Sequence, residues 1–461
     1  MREPRNGLFP GGRGGGAVRR RASLAASCAL LLASLPAACQ APLTLPDALR
    51  LVEEKSLEAD LAKLDGASAR EDTSQARSLY YPQFTLDFSH VNLDNAPYFI
   101  AGPIVFPSGE ASFWQYKLAA RYVIWDGGRR SAALEGRRTA ERAVSLAGGE
   151  AVRKAQAEAV ARYVALLTLK AQAGVVEQRR RALDDHLRTV KDLFENGVVA
   201  RNDLLRTEVA LRSVDDQASS LRSAYASALE SLNQSLGLDP GTPQVLPEAL
   251  PPPPPLPWDE ASCRSRAAEG NGSVRALSEK VQALEERLRL SRKDYWPRFV
   301  AEYAHSYTQN EYLLYPYVHS LFLGVSVDLF DGGVKDSRVR QARIEVERAQ
   351  RELVEARRGA EVAAAQAMRD FQDALKETET ARANVDASVE NLRILEDQYR
   401  EGLARTTDVL DAESVLAESR FALAQKHYQA YARQSALIAA MGEDLRRFYG
   451  AIGGRPASLE N

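Results

Sequence analysis

The sequence predicts a mixed but mainly α-helical fold, built by internal duplication, in which paired β-strands interrupt very long antiparallel helices. Three observations carry this. The stretch 398–413, QYREGLARTTDVLDAE, echoes 193–208, LFENGVVARNDLLRTE, with Gly402/Gly197, Asp408/Asp203 and Glu413/Glu208 each 205 residues apart. Unbroken helical patterns run over 129–195 and 334–398, 67 and 65 residues, which at ~1.5 Å per residue is about 100 Å each. Between the helices lie segments of roughly 10 residues that alternate apolar and polar, the period of a strand.

The echo extends well beyond the tips. Tyr80-Tyr81-Pro82 is answered by Tyr295-Trp296-Pro297, 215 residues on. Trp125-Asp126-Gly127-Gly128 is answered by Phe330-Asp331-Gly332-Gly333 at the 205 spacing, as is Leu232 to Gly237 by Leu437 to Gly442. Constant spacing with one local insertion, here inside the first hairpin, is the signature of a duplicated unit. Each unit is expected to run helix, strand pair, long helix, tip, helix. The resulting boundaries are a first unit over 42–246, a Pro-rich linker over 247–267, a second unit over 268–446 and a tail over 447–461.

The opening helix is expected over 44–79, with an apolar face at Leu45, Leu49, Val52, Leu57, Leu61 and Leu64. Pro82 then stops helix and favours an extended start. In the strands Phe84, Leu86 and Phe88 oppose Thr85, Asp87 and Ser89, and Leu321, Leu323, Val325, Val327 and Leu329 oppose Ser320, Gly324 and Ser326, with Phe322 breaking the polar face. Such strands suit a lipid face and a wet lumen, or an ordinary sheet over a soluble core. Tyr80, Tyr81, Trp125, Tyr295, Trp296 and Phe330 collect at the helix-side ends of the strands, where an interfacial girdle belongs. Four strands cannot close a barrel, for which about eight are needed, so a membrane reading requires an oligomer. The turns Asp126-Gly127-Gly128 and Asp331-Gly332-Gly333 combine permissive backbone with a capping carboxylate where strand becomes helix. The shorter helices, laid end to end in pairs, match the long ones in length. The run PEALPPPPPLP over 247–257 is a stiff non-helical connector.

Lys+Arg (60) nearly balance Asp+Glu (62), which does not suggest nucleic acid. Arg19, Arg20 and Arg21 precede an apolar run over 22–35 and then Ala37-Ala38-Cys39-Gln40-Ala41, a secretory signal peptide. The Gly-rich leader over 11–16 makes a long n-region, consistent with a start codon further downstream. Two processing routes fit: acylation of Cys39, or cleavage after Ala41. Removal of this basic segment takes the net charge from −2 to about −7. With at most Cys39 and Cys263 left, no disulfide framework is expected. No mature segment offers the ~20 consecutive apolar residues of a membrane helix, so any membrane crossing would be made by a β-barrel.

His90, His186, His305, His319 and His427 show no metal spacing, and no nucleophile elbow or phosphate-binding glycine loop occurs. No enzyme activity, cofactor or metal is therefore expected. Asp408 and Asp411, three apart at a helix start, share one face. They suit helix capping by Thr407 or Asp408 and the helix dipole. In a symmetric ring they would also form a circle of acids that attracts cations. The first copy has Asp203 but Arg206 where the second has Asp411, so the two tips differ.

The LTLPDALRL start, the Tyr-Pro and Trp-Pro before each hairpin, both Asp-Gly-Gly turns, the Gly-x5-Asp tips and the duplication are together highly specific. By them the chain resembles the TolC family of outer-membrane efflux proteins over essentially its whole mature length. The resemblance implies a homotrimer with a 12-stranded β-barrel, four strands per chain, in the outer membrane and a long α-helical barrel in the periplasm. It implies a passive exit duct for efflux or secretion, opened at its tip by a periplasmic adaptor and an inner-membrane pump. On this chain the family's aspartate constriction matches Asp408 and Asp411, and its latch aspartate and tyrosine match Asp203 and Tyr399. The latch arginine falls on Ala404, with Arg405 one position later and Arg206 the basic residue of the other tip. The adaptor contact falls on Gly197, Val198, Gly402 and Leu403. A soluble coiled-coil scaffold without a pore is the alternative, and drug, metal or protein export are all open.

Overall fold

The structure, a computed structural model, describes residues 42–450. The signal peptide, the Cys39 and Ala41 alternatives and residues 451–461 lie outside the described residues.

The first unit opens with α1 (Leu45–Lys55), capped by Thr44, whose Oγ1 accepts from Asp47 N at 3.3 Å. The expected single helix over 44–79 is two. Ser56 turns extended (ψ 154°) and its Oγ caps α2 (Leu57–Ser78) by accepting from Ala59 N at 3.1 Å. The sheet follows with β1 (Gln83–Asn92), a separate hairpin of β2 (Tyr98–Ala101) and β3 (Ile104–Pro107), and β4 (Ser112–Trp125). Then come α3 (Arg129–Glu195), the first tip and α4 (Arg201–Ser235). The second unit runs α5 (Glu260–Gly270), α6 (Gly272–Lys293), β5 (Arg298–Thr308), β6 (Tyr317–Ser326), α7 (Val334–Arg400), the second tip, α8 (Thr406–Ala440) and α9 (Leu445–Gly450). The duplication is plain in the lengths: α3 and α7 are both 67 residues, α4 and α8 both 35.

Further expectations are corrected. The linker 247–267 is not all connector, because Asp259 accepts from Ser262 N at 2.9 Å and starts α5. The second unit therefore has its own broken pair, α5 and α6, split at Asn271, whose side chain caps α6 through Ser273 N and Val274 N. Residues 447–450 are not tail, since Tyr449 is buried and its hydroxyl bonds Ser435 and Gln434. The last strand also ends at Ser326, leaving Val327 and Leu329 beyond it, and β2–β3 is an additional hairpin that lacks strand alternation because YFIAGPIVFP is apolar on both faces.

The four main strands form one antiparallel sheet in the order β1-β4-β5-β6. Its register aligns Leu86 with Leu118, Ala120 with Tyr303, and Tyr303 with Leu321 on one face, and Asp87 with Lys117 and Arg121 with Glu302 on the other. The apolar face is uncovered: Phe84 is 72% exposed, Leu323 68% and Leu321 70%. At its helix-side end Trp125 meets Trp296 and Phe299 edge-on at 6.0 and 5.6 Å.

Toward the sheet the helices lie side by side as α2–α3–α6–α7, and toward the tips as α4–α3–α8–α7. The shorter helices thus stack end to end along the two long ones. Gly237 and Gly442 make the joints. Each has a left-handed backbone (φ +68° and +77°), and a Cβ there would stand 1.9 Å from the Lys55 carbonyl oxygen or 2.1 Å from that of Gly270. A core of Leu49, Val52, Tyr163, Leu167, Leu232, Leu236, Ile438 and Leu445 surrounds the first joint. The Pro-rich connector crosses this level. Its prolines have no N–H to satisfy, and its carbonyls accept from His427 (Leu250 O, 3.1 Å), Tyr431 (Pro251 O, 2.6 Å) and Gln434 (Pro254 O, 2.6 Å).

Candidate gate at the helical tips

Both tips are built the same way. Gly197 and Gly402 adopt φ of +74° and +73°, and each closes a Schellman-type turn. In the first, Gly197 N donates to Phe194 O (2.9 Å) and Val198 N to Leu193 O (2.8 Å). In the second, Gly402 N donates to Tyr399 O (3.0 Å) and Leu403 N to Gln398 O (2.8 Å). Nothing stands within 4 Å of a Cβ built on either glycine, so the glycines serve the backbone angle and not a close contact. Val198 (67% exposed) and Leu403 (75%) stand out at the apices with no apolar neighbour to cover them.

Neither Thr407 nor Asp408 is the cap residue of α8. Arg405 is, and Asp408 reaches back so that its Oδ2 accepts the Arg405 N–H at 2.9 Å. Asp411 lies one turn further on, exposed, with no ion pair or hydrogen bond among the described residues. Asp408 is thus half committed to the helix end, while Asp411 is a free carboxylate. In the first tip Ala200 occupies the cap position, and the Asp203 carboxylate makes no bond like that of Asp408. Arg206 and Arg405 are exposed and unpaired among the described residues.

Among the described residues no hydrogen bond joins Asp203 and Tyr399. The Tyr399 hydroxyl instead accepts from Thr406 Oγ1 at 3.4 Å, and its ring lies 5.2 Å from that of His186 on α3. Burial holds the His186 imidazole below its usual pKa, and its Nε2 has no partner. A further contact joins the units above this point. Arg179 on α3 donates to Ser414 Oγ on α8 at 2.6 Å, and Arg420 donates to Gln178 at 3.1 Å. Glu413 is buried there. Burial and then the Glu396 charge push its pKa up, against the opposing pull of Arg179 and Arg420. Its 205-residue echo with Glu208 was the signal available in the sequence. Its partners on α3 were not legible, because they are more than 230 residues away.

At the opposite end of the helices the strand-to-helix turns are alike. Asp126 Oδ1 accepts from Gly128 N (3.2 Å) and Arg129 N (3.1 Å), and its Oδ2 from Arg130 N (3.0 Å). Asp331 accepts from Gly333 N (3.1 Å) and Lys335 N (2.9 Å). These carboxylates satisfy the orphan N–H groups of α3 and α7 from two residues before the cap. Gly127, Gly128, Gly332 and Gly333 all have positive φ, and Gly127 also lies so close to Trp296 that a Cβ would be 2.6 Å from that residue's Cβ.

Among the described residues no cluster of three metal-ligating side chains occurs. The arrangement provides a wall of side-by-side helices, an uncovered apolar sheet and a tip at which Asp411 is a free carboxylate.

Comparison with known proteins agrees with this architecture. The family model described as "Outer membrane efflux protein" matches residues 50–238 and 263–443. The chain is 27% identical to Protein CyaE of Bordetella pertussis (strain Tohama I), over 93% of this chain and 92% of that one. Among solved structures, the outer membrane protein VceC of Vibrio cholerae superposes with a TM-score of 0.73 at 16% identity, covering 87% of this chain and 96% of that one. The CmeC outer membrane channel of Campylobacter jejuni gives 0.74 at 13% identity, covering 90% of each.

Proposed function

The chain belongs to the outer membrane efflux protein family, an outer-membrane channel with a periplasmic helical tunnel, and we propose that three copies form its conduit, gated at the tips. The soluble scaffold alternative is not supported by the family match.

The observation that carries the trimer is the pair of matched open edges. The sheet ends in unpaired β1 and β6, and the helical wall ends in α2 and α4 on the β1 side and α7 on the β6 side. Both sides bear apolar residues that no described residue covers: Leu57, Leu61 and Leu64 on α2, and Ile344 and Val362 on α7. Leu57, Leu61 and Leu64 continue the apolar face of Leu45, Leu49 and Val52, which the chain itself buries. They follow helical spacing because their partner is a neighbouring copy. Three copies bring the strands to twelve, enough to close a barrel.

In that ring Asp408 and Asp411 form the constriction, and Asp203, whose side chain is unengaged among the described residues, together with Arg206 and Arg405 is available to the neighbour's tip. Tyr399 holds α7 to the start of α8. Val198 and Leu403, set by Gly197 and Gly402, offer apolar apices to the hairpin of a periplasmic adaptor. With no nucleotide-binding motif in the chain, an inner-membrane pump supplies the energy.

The test is ion selectivity. Asp408→Asn with Asp411→Asn should weaken block by multivalent cations from the tip side by on the order of tenfold, about 1.4 kcal/mol, with assembly intact. Asp411→Asn alone should carry most of the effect, because Asp408 already spends an oxygen on Arg405. Unchanged selectivity in the double variant would remove these residues from the constriction.

A further inference from the structure

A cavity of about 450 Å³ opens where the polar face of the sheet meets the helix ends, and four arginines line it: Arg121, Arg129, Arg130 and Arg298. One carboxylate, Asp126, faces them. Two of the four are already engaged. Arg130 Nε donates to Asp126 Oδ2 at 3.0 Å with its guanidinium 5.0 Å over the Tyr80 ring, and Arg129 pairs with Asp294. Arg121 and Arg298 have no carboxylate or hydrogen-bond partner among the described residues. Glu302, which faces Arg121 across the ladder, takes Lys117 instead at 3.1 Å.

The excess of positive charge continues around the corner. The adjoining cleft shares Arg129 and Arg298 and adds Lys293, Lys335 and Arg338 against Asp294 and Asp328. Seven cations and three carboxylates therefore line the two spaces together. Of the added cations Lys335 is held by the Asp328 backbone and carboxylate, whereas Arg338 is unpaired among the described residues. Guanidinium groups gathered without partners in a recess repel one another, and an anion relieves this. Their planar forks match the oxygens of phosphate or carboxylate two at a time.

We propose that this junction is a binding collar for multivalent anions, clustered phosphates or carboxylates carried by a passing solute, with Arg121, Arg298 and Arg338 as the free ligands. The collar is on the same face as Thr85, Asp87 and Ser320 and opposite to Phe84, Leu86 and Leu323, so it is turned away from lipid headgroups. Its position inside the conduit rests on the trimeric channel reading. Binding itself needs only the folded chain. Repeated around three copies, it would place a basic ring at the neck of a duct whose far end carries acids, so that anionic groups are favoured at the exit and cations at the entrance.

Tripolyphosphate is the probe. Titration calorimetry on the full chain in detergent, with orthophosphate at equal ionic strength as the control for screening, should show saturable tripolyphosphate binding. Arg121→Gln with Arg298→Gln should weaken it by on the order of tenfold or more, and Arg298→Lys, which keeps the charge but loses the fork, should fall between. The same probe added from the barrel side of single channels should block the wild type and spare the double variant. Absence of binding to the wild type, or equal binding by the double variant, overturns the collar. A protein that binds the probe but never conducts keeps the collar and overturns the channel, and a conducting wild type indifferent to tripolyphosphate does the reverse.

Discussion

Gly442→Ala is expected to destabilise the folded helical wall by roughly 2–5 kcal/mol. A left-handed backbone costs a residue with a Cβ about 1–2 kcal/mol, and forcing an extra methyl into a closed space adds about 1–3 kcal/mol. The obstacle here is the Gly270 carbonyl oxygen, 2.1 Å from the new Cβ, and the Asn271 N is only 3.0 Å away. Neither can rotate aside as a side chain would. Gly237→Ala should behave alike against the Lys55 carbonyl. The tip glycines supply the control. Gly402→Ala meets the same backbone penalty but open space, so it should cost only about 1–2 kcal/mol. Guanidinium unfolding followed by circular dichroism ranks the three, and equal midpoints for Gly442→Ala and Gly402→Ala would mean that the joints are not close-packed.

Leu323→Arg is expected to cost about 2–4 kcal/mol of membrane stability if its face meets the bilayer interior. Leu323 is 68% exposed on the apolar face of β6, opposite Ala301 on β5. Ser320→Arg, three residues earlier on the same strand, points the other way and should be tolerated. Recovery of assembled protein from outer membranes measures the contrast. Tolerance of arginine at Leu323 would remove that face from lipid.

Much of this fold was legible because it is periodic. The α3 pattern ends where the helix ends, and the strand alternation gave both faces of the sheet. Punctuation by ordinary residues was harder to see. Ser56 and Asn271 look like helix-interior polar residues, yet their side chains cap the next helix, and the reason for the break is the approach of Gly237 and Gly442 from far along the chain. Asp259 was an available cap signal, overshadowed by the prolines before it. Tyr98 to Pro107 lacks the alternation by which strands are recognised. The Leu57, Leu61 and Leu64 stripe is apolar and helical, as its spacing predicts, but no described residue covers it, and the proposed neighbouring copy would do so. At the tips, Asp408 was evident from its echo in Asp203, whereas Asp411 has Arg206 as its counterpart and stands outside the repeat. That Asp408 is tied to the Arg405 N–H while Asp411 is free follows only from the cap geometry.

The most direct test of the account is the single-channel conductance of the purified mature protein in a planar bilayer. A gated trimeric channel should insert and give small, cation-selective openings that multivalent cations block from the tip side. A protein that fails to insert and remains a soluble monomer or dimer without detergent would contradict it.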